Sequence, residues 1–236
     1  MATQLQLRAI KMTNNNNDMT TIGQAIKKSA LGLAIFAFFT AGIIAVTQVV
    51  TQDKIQQNQR EFEARLLLSL LPETVEAEQL LNSAQTFDHA DFINVNQLSV
   101  SPSDRYFQVV NQGRVDAVIL PVVAPEGYTE AIRLIVGIDS KGTIIGVRVT
   151  QHKETPGLGD QVETTKSDWI FTFNTRSLNS PEPNQWLVKK DGGDFDQLTG
   201  ATITPRAIVK AIKNSLEFFQ ANRTLLLTPA VMENNS

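Results

Sequence analysis

The sequence predicts an α+β protein: a single N-terminal transmembrane helix, then a twisted antiparallel sheet packed with helices. Three observations predict it. Ser29–Gln52 contains no charged side chain. Arg114–Pro121, Ala131–Ile138 and Thr143–Gln151 are runs rich in Val and Ile, the residues that suit a pleated, half-buried surface. Pro205–Ala221 carries apolar side chains at helical spacing.

The apolar run comes first. About 20 residues cross a hydrocarbon core as a helix, and the segment 29–52 is long enough. Lys27-Lys28 precedes it, and Asp53 and Lys54 follow with little net charge. The positive-inside rule then places the N-terminus in the cytoplasm and the chain after residue 52 outside. A cleaved signal peptide competes poorly, because the run is long, starts late and lacks a clear small-x-small site after it. A buried soluble helix competes poorly as well, because the run has no polar face. Residues 1–28 include Asn14-Asn15-Asn16-Asn17 and little apolar content, so a disordered or weakly ordered cytoplasmic tail is expected there.

Residues 53–104 read as a stalk followed by a helical and loop-rich segment. Ile55, Phe62, Leu66 and Leu70 fall near helical spacing, and Pro72 stops the pattern. A short acidic helix is expected over Glu73–Ser83. His89, between Asp88 and Asp91, reads as a surface histidine. The main domain is expected over 105–223. Asp139-Ser140-Lys141-Gly142 is a hairpin turn between two strands. Leu187–Lys190 reads as a further short strand. In the last helix, Ile208, Ile212, Leu216 and Phe219 form one stripe, with Thr204 as N-cap and Pro205 in the first turn. Residues 224–236 form a C-terminal tail.

Composition excludes several chemistries. The chain has no cysteine, so it holds no disulfide, Cys-ligated cluster or c-type haem. Two histidines and no H-E-x-x-H leave little for a metal site, and none is expected. After residue 28, acidic side chains outnumber basic ones. That argues against nucleic acid, whose phosphates require clustered Lys and Arg.

Three segments of the main domain are suited to a ligand. The first is Asp196 to Pro205, D-x-x-T-G-A-T-x-T-P. Gly200 permits a tight turn, Ala201 adds little bulk, and Thr199, Thr202 and Thr204 offer hydroxyls ahead of a helix whose first N–H groups are free to meet an anion. Read alone, it is better explained as an ordinary turn with an N-cap. The second is His152 to Asp160, H-K-E-T-P-G-L-G-D, directly after a strand. Gly157, Leu158 and Gly159 let backbone approach a flat or phosphorylated ligand, with Glu154 and Thr155 in reach of its polar edges. Read alone, it is a Pro-Gly turn, and His152 is a surface histidine. The third is Lys189-Lys190-Asp191-Gly192-Gly193-Asp194, in which Lys190 supplies a point charge or simply faces solvent.

Taken together, H-K-E-T-P-G-L-G-D, K-K-D-G-G-x-F-D-Q-x-T-G-A-T-I-T-P-R-A and one N-terminal membrane helix resemble the RnfG family, the membrane-anchored flavoprotein of the Rnf/Rsx ion-translocating electron transport complex. The chain is similar, more distantly, to NqrC, the corresponding component of the sodium-pumping NADH:quinone reductase. The resemblance implies an FMN-binding domain. It implies FMN joined by a phosphoester to the threonine closing G-A-T, here Thr202, with Thr199, Gly200, Ala201, Thr204, Glu154, Thr155, Gly157, Leu158, Gly159 and Lys190 around it. It also implies a flavin transferase for maturation, sister subunits and membrane lipid as partners, and a bacterial inner-membrane location with a periplasmic domain. The protein would relay electrons, with no complete catalytic activity and no catalytic residue of its own. A membrane-tethered flavin sensor without a relay is the alternative outside this family.

Overall fold

The structure is a computed structural model. It describes residues 2–71, 75–89 and 91–230, with side chains from residue 26 onward except those of Asp53 and His89. The chain divides into two compact units, Met1–Arg60 and Glu61–Ser236.

The first unit is helical. Helix α1 runs over Ala2–Leu68 without a break. Its backbone is helical through 2–28 too, where the sequence predicts a weakly ordered tail. No proline or glycine occurs before Gly23, and a helix interrupted by nothing propagates at low cost once started. The stretch from Ile26 is long and apolar enough to cross a membrane. Leu33, Phe36, Phe38, Val46 and Val50 are all largely exposed, so this apolar surface is not packed on other described residues. Thr40, Thr47 and Thr51 return their hydroxyls to carbonyls three or four residues back, which satisfies them without a partner helix.

The second unit is a five-stranded antiparallel meander: β1 Gln85–Thr86, β2 Arg105–Asn111, β3 Arg114–Ala124, β4 Ile132–Asp139 and β5 Ile144–Gln151, in that spatial order. The expected strands are present, and the Asp139–Gly142 turn closes β4 to β5. Asp139 Oδ1 accepts from the N–H groups of Lys141 and Thr143, which fixes that turn.

Each face of the sheet is covered. On one face lies α3, Ile203–Ala221, whose Ile208, Ile212, Leu216 and Phe219 enter the main core with Val118, Leu120, Val136 and Ile138. On the other, Leu67 and Leu70 of the α1 end and Leu80 of α2, Ala77–Asn82, pack on Phe107 and Ile119. Arg148 of β5 fastens that end: Nη2 donates to the Ser69 carbonyl at 2.7 Å and Nε to its hydroxyl at 3.0 Å. Burial lowers the Arg148 pKa below the usual guanidinium value. The acidic helix expected from Glu73 is the shorter α2, and residues 72–74, including Pro72, lie outside the described residues.

Two other expectations are corrected. Leu187–Lys190 is not a strand. Gly193 lies so close to Leu187 that a Cβ would meet its carbonyl oxygen at 2.0 Å, and the chain folds back before a ladder forms. Only the bridge Val188–Phe195 remains, beside a 3-10 turn at Lys189–Asp191. The tail does not leave the domain at Arg223. It forms α4, Arg223–Leu226, and continues onto the sheet. There the buried Gln108 donates to the Leu226 and Thr228 carbonyls at 2.9 and 2.8 Å and accepts from Ala230 N–H at 3.0 Å.

Some backbone groups at the sheet edges already have partners. Beside β2, the Ser83 hydroxyl accepts from Gln108 N–H, and the Gln79 amide donates to the Val110 carbonyl. Beside β5, Ile144 exchanges hydrogen bonds with Arg176 and Thr175.

Candidate functional site

Two of the three expected segments meet. Tyr128, Glu154, Thr155, Leu158, Gly159 and the stretch Gly200–Thr204 line one open cleft of about 470 Å³, within the about 300–1,000 Å³ of small-molecule sites.

The first wall is the loop after β5. Leu158, Gly159 and Asp160 direct their N–H groups at the single carbonyl of Thr155, at 3.1, 3.1 and 3.4 Å. That convergence needs a sharp bend, and Gly157 supplies it with φ +77°. Gly159 leaves no room for a side chain, since a Cβ would meet Glu154 Cβ at 2.8 Å and Thr204 Oγ1 at 3.1 Å.

The opposite wall is the turn Leu198–Ala201, closed by Ala201 N–H to the Leu198 carbonyl at 3.1 Å. Gly200 occupies its third position with φ +79°, as a type II turn requires. The Leu158 side chain packs on that glycine, where a Cβ would meet it at 2.6 Å. Gln161 Nε2 spans the walls, donating to the Leu158 carbonyl at 3.0 Å and the Thr199 carbonyl at 3.4 Å. Trp169 Nε1 holds the Asp196 carbonyl at 2.8 Å.

The threonines divide by role. The helix starts at Ile203, two residues before the expected start, with Thr202 at the N-cap position. Pro205 tolerates this because the first helical N–H groups have no intrahelical partner to lose. Thr204 is not the cap. It is buried, and its hydroxyl donates to Glu154 Oε2. Thr202 is half-buried on the cleft wall, makes no side-chain cap bond, and its hydroxyl has no hydrogen-bond partner among the described residues. Thr199 is exposed and outside the lining.

Glu154 joins three segments. It is 5% exposed; Oε1 accepts from Thr129 N–H at 3.2 Å while Oε2 receives Thr204. Its own N–H donates to His152 Nδ1 at 3.1 Å, so that ring's Nε2 donates to Glu163 Oε1 at 2.9 Å. His152 is therefore partly buried and not the surface histidine expected, because both ring nitrogens have protein partners.

The third segment stays apart. Lys190 is exposed on its 3-10 turn and does not line the cleft. Its neighbours are ion-paired. Lys189 contacts Asp196 at 2.7 Å. Asp191 takes a bidentate pair from Arg206, at 2.5 and 2.6 Å. The hydrogen bond from Arg206 holds the Asp191 carboxyl below its usual range and raises the guanidinium in turn. Sequence reasoning missed Tyr128, which is 64% exposed on the cleft. Its signal was a lone aromatic after Gly127 in a loop.

Residues 127–217 match the FMN-binding domain family, and 17–70 match the RnfG N-terminal region. A Vibrio vulnificus protein described as the G subunit of an ion-translocating oxidoreductase complex is 40% identical over 203 residues, spanning 86% of this chain and 93% of that one. A Pseudomonas aeruginosa protein of the same description is 42% identical over 206 residues, 87% and 94% of the two chains. The chain belongs to the RnfG family. An RnfG protein is one component of a multi-subunit ion-translocating oxidoreductase, and this one has an FMN-binding domain that contains the cleft's two walls. The crystal structure of Shewanella oneidensis NqrC is similar at 22% identity and a TM-score of 0.43, over 65% of this chain and 74% of that one.

Proposed function

We propose that this RnfG protein carries FMN in the cleft, joined by a phosphoester to Thr202, and relays electrons between sister subunits while anchored by α1. The observation that carries this reading is the contrast between neighbouring hydroxyls. Thr202 faces the cleft with its hydroxyl uncommitted, whereas that of Thr204 is already donated to Glu154.

Each wall has a task. The start of α3 presents N–H groups and the positive helix end to a phosphate next to Thr202. Gly200 and Ala201 keep bulk away from it. Leu158, Ile203 and Tyr128 are partly exposed apolar surfaces at the cleft and suit a flat aromatic ring. Thr155, exposed at the same cleft, suits the polar ribityl chain. FMN supplies one- and two-electron chemistry when bound; the protein binds it, orients it and sets its surroundings. A covalent tether keeps the cofactor on a domain held outside the cytoplasm, with the N-terminus inside, as Lys27-Lys28 before the span supports. A flavin transferase would install it. Thr199 and Lys190 have no counterpart in the lining, and no cofactor contact is assigned to them.

Thr202→Ala is the test. The variant is expected to lose flavin fluorescence from the denatured band while its unfolding free energy changes by about 1 kcal/mol or less, as for substitutions outside the core. A fluorescent T202A band would refute the attachment.

A further inference from the structure

We infer that Glu154 is a fixed negative charge that holds the flavin of this cleft at a low reduction potential. The inference rests on the proposed FMN site, and it concerns this chain's charge and not the attachment.

Four observations carry it. Glu154 lines the cleft yet is 5% exposed, so water screens it poorly. Its oxygens are held by Thr129 N–H and the Thr204 hydroxyl, both neutral donors. Among the described residues, no cation lies within ion-pair distance of it. Lys153, next in the chain, pairs with Glu130 at 2.7 Å, and on α3 Lys210 pairs with Glu126 at 2.6 Å and Arg206 with Asp191. His152 turns its accepting Nδ1 toward the Glu154 amide and sends its donor to Glu163, so it gives the carboxylate nothing.

The consequence is electrostatic. Two electrons from a reduced carrier in a neighbouring subunit and one proton from solvent convert the oxidised ring to a reduced ring with one more negative charge. An uncompensated carboxylate beside that ring opposes the charge and favours the oxidised form. Glu154 acts on the ring through space and is not a catalytic residue. Thr204 moderates it, because a hydroxyl donated to a carboxylate oxygen spreads its charge.

The full-length, natively flavinylated protein tests this by spectroelectrochemical titration. Glu154→Gln is expected to shift the flavin midpoint positive by at least about tenfold in the reduction equilibrium, about 30 mV for a two-electron couple. Thr204→Val removes the donor and keeps the charge, and is expected to shift it negative. An unchanged or negative midpoint in E154Q overturns the inference. If E154Q takes up no flavin, T204V decides alone: a negative shift supports the inference, and an unchanged or positive midpoint overturns it. Denaturing-gel fluorescence of wild type and T202A separates the two ideas. A T202A band that stays fluorescent refutes the attachment at Thr202 and leaves the charge comparison standing.

Discussion

At the residue scale, Gly200 shows why the G-A-T triplet has its composition. Its φ of +79° disfavours any side chain, and the space is filled by Leu158. Gly200→Ala is expected to cost about 1–3 kcal/mol and to cut covalent flavin loading. Adding Leu158→Ala should relieve the collision and leave the backbone cost, which urea titration of the single and double variants separates. Asp191 and Arg206 give a pH signature. The Asp191 pKa is depressed in the folded state, chiefly by the Arg206 hydrogen bond, so the pair's stabilisation is fully present above the ordinary aspartate range near pH 4. It is lost as pH falls through the depressed folded value. The stability gap between wild type and Asp191→Asn should be flat at neutral pH and close on acidification; a gap that widens in acid would contradict the pairing. Much of this scale is legible in the sequence. Residue type marks three glycine-bearing segments as suited to a ligand, and two of them face each other across the cleft. Which threonine is free is not legible, because that depends on Glu154, 50 positions from Thr204 in the chain. Lys190 misleads because charge near a motif in sequence says nothing about which way a 3-10 turn faces.

At the element scale, period and turn chemistry place the strands and the final helix within a few residues. Alternation and the Asp139–Gly142 turn are local, and local signals survive into the fold. Leu187–Lys190 fails as a strand because pairing is non-local: a short segment without a partner strand gives a bridge, not a ladder. The C-terminal tail is illegible for the same reason. Its anchor is the side chain of Gln108, on β2, with three hydrogen bonds to 226–230. Gln108→Ala should destabilise the domain by about 2–4 kcal/mol, since each buried group left unpaired costs about 1–3. Hydrogen exchange should then speed at Leu226–Ala230 while the strand β3 amides stay protected.

At the scale of the whole molecule, the division at Arg60/Glu61 is itself a prediction. A chain starting at Glu61 retains Leu67 and Leu70, which are 2% and 5% exposed on the second face of the sheet. It should unfold in urea at the same midpoint as the full-length protein, followed by Trp169 and Trp186, both buried in this unit. Leu67→Ala in the same background should cost about 2–5 kcal/mol, as emptying a buried leucine site does. A Leu67→Ala midpoint equal to that of the unsubstituted Glu61 chain would show that the α1 end contributes nothing to the domain. The long apolar stretch is legible because it depends on composition and length alone; the continuation of its helix into the domain's second core is only half visible, as the broken stripe Ile55, Phe62, Leu66 and Leu70. The side-chain donors and acceptors along β2 have a consequence for contacts with other chains. A second copy adding a strand along β2 would have to displace the Ser83 hydroxyl and the Gln79 amide first, which makes that edge a poor template for fibrils.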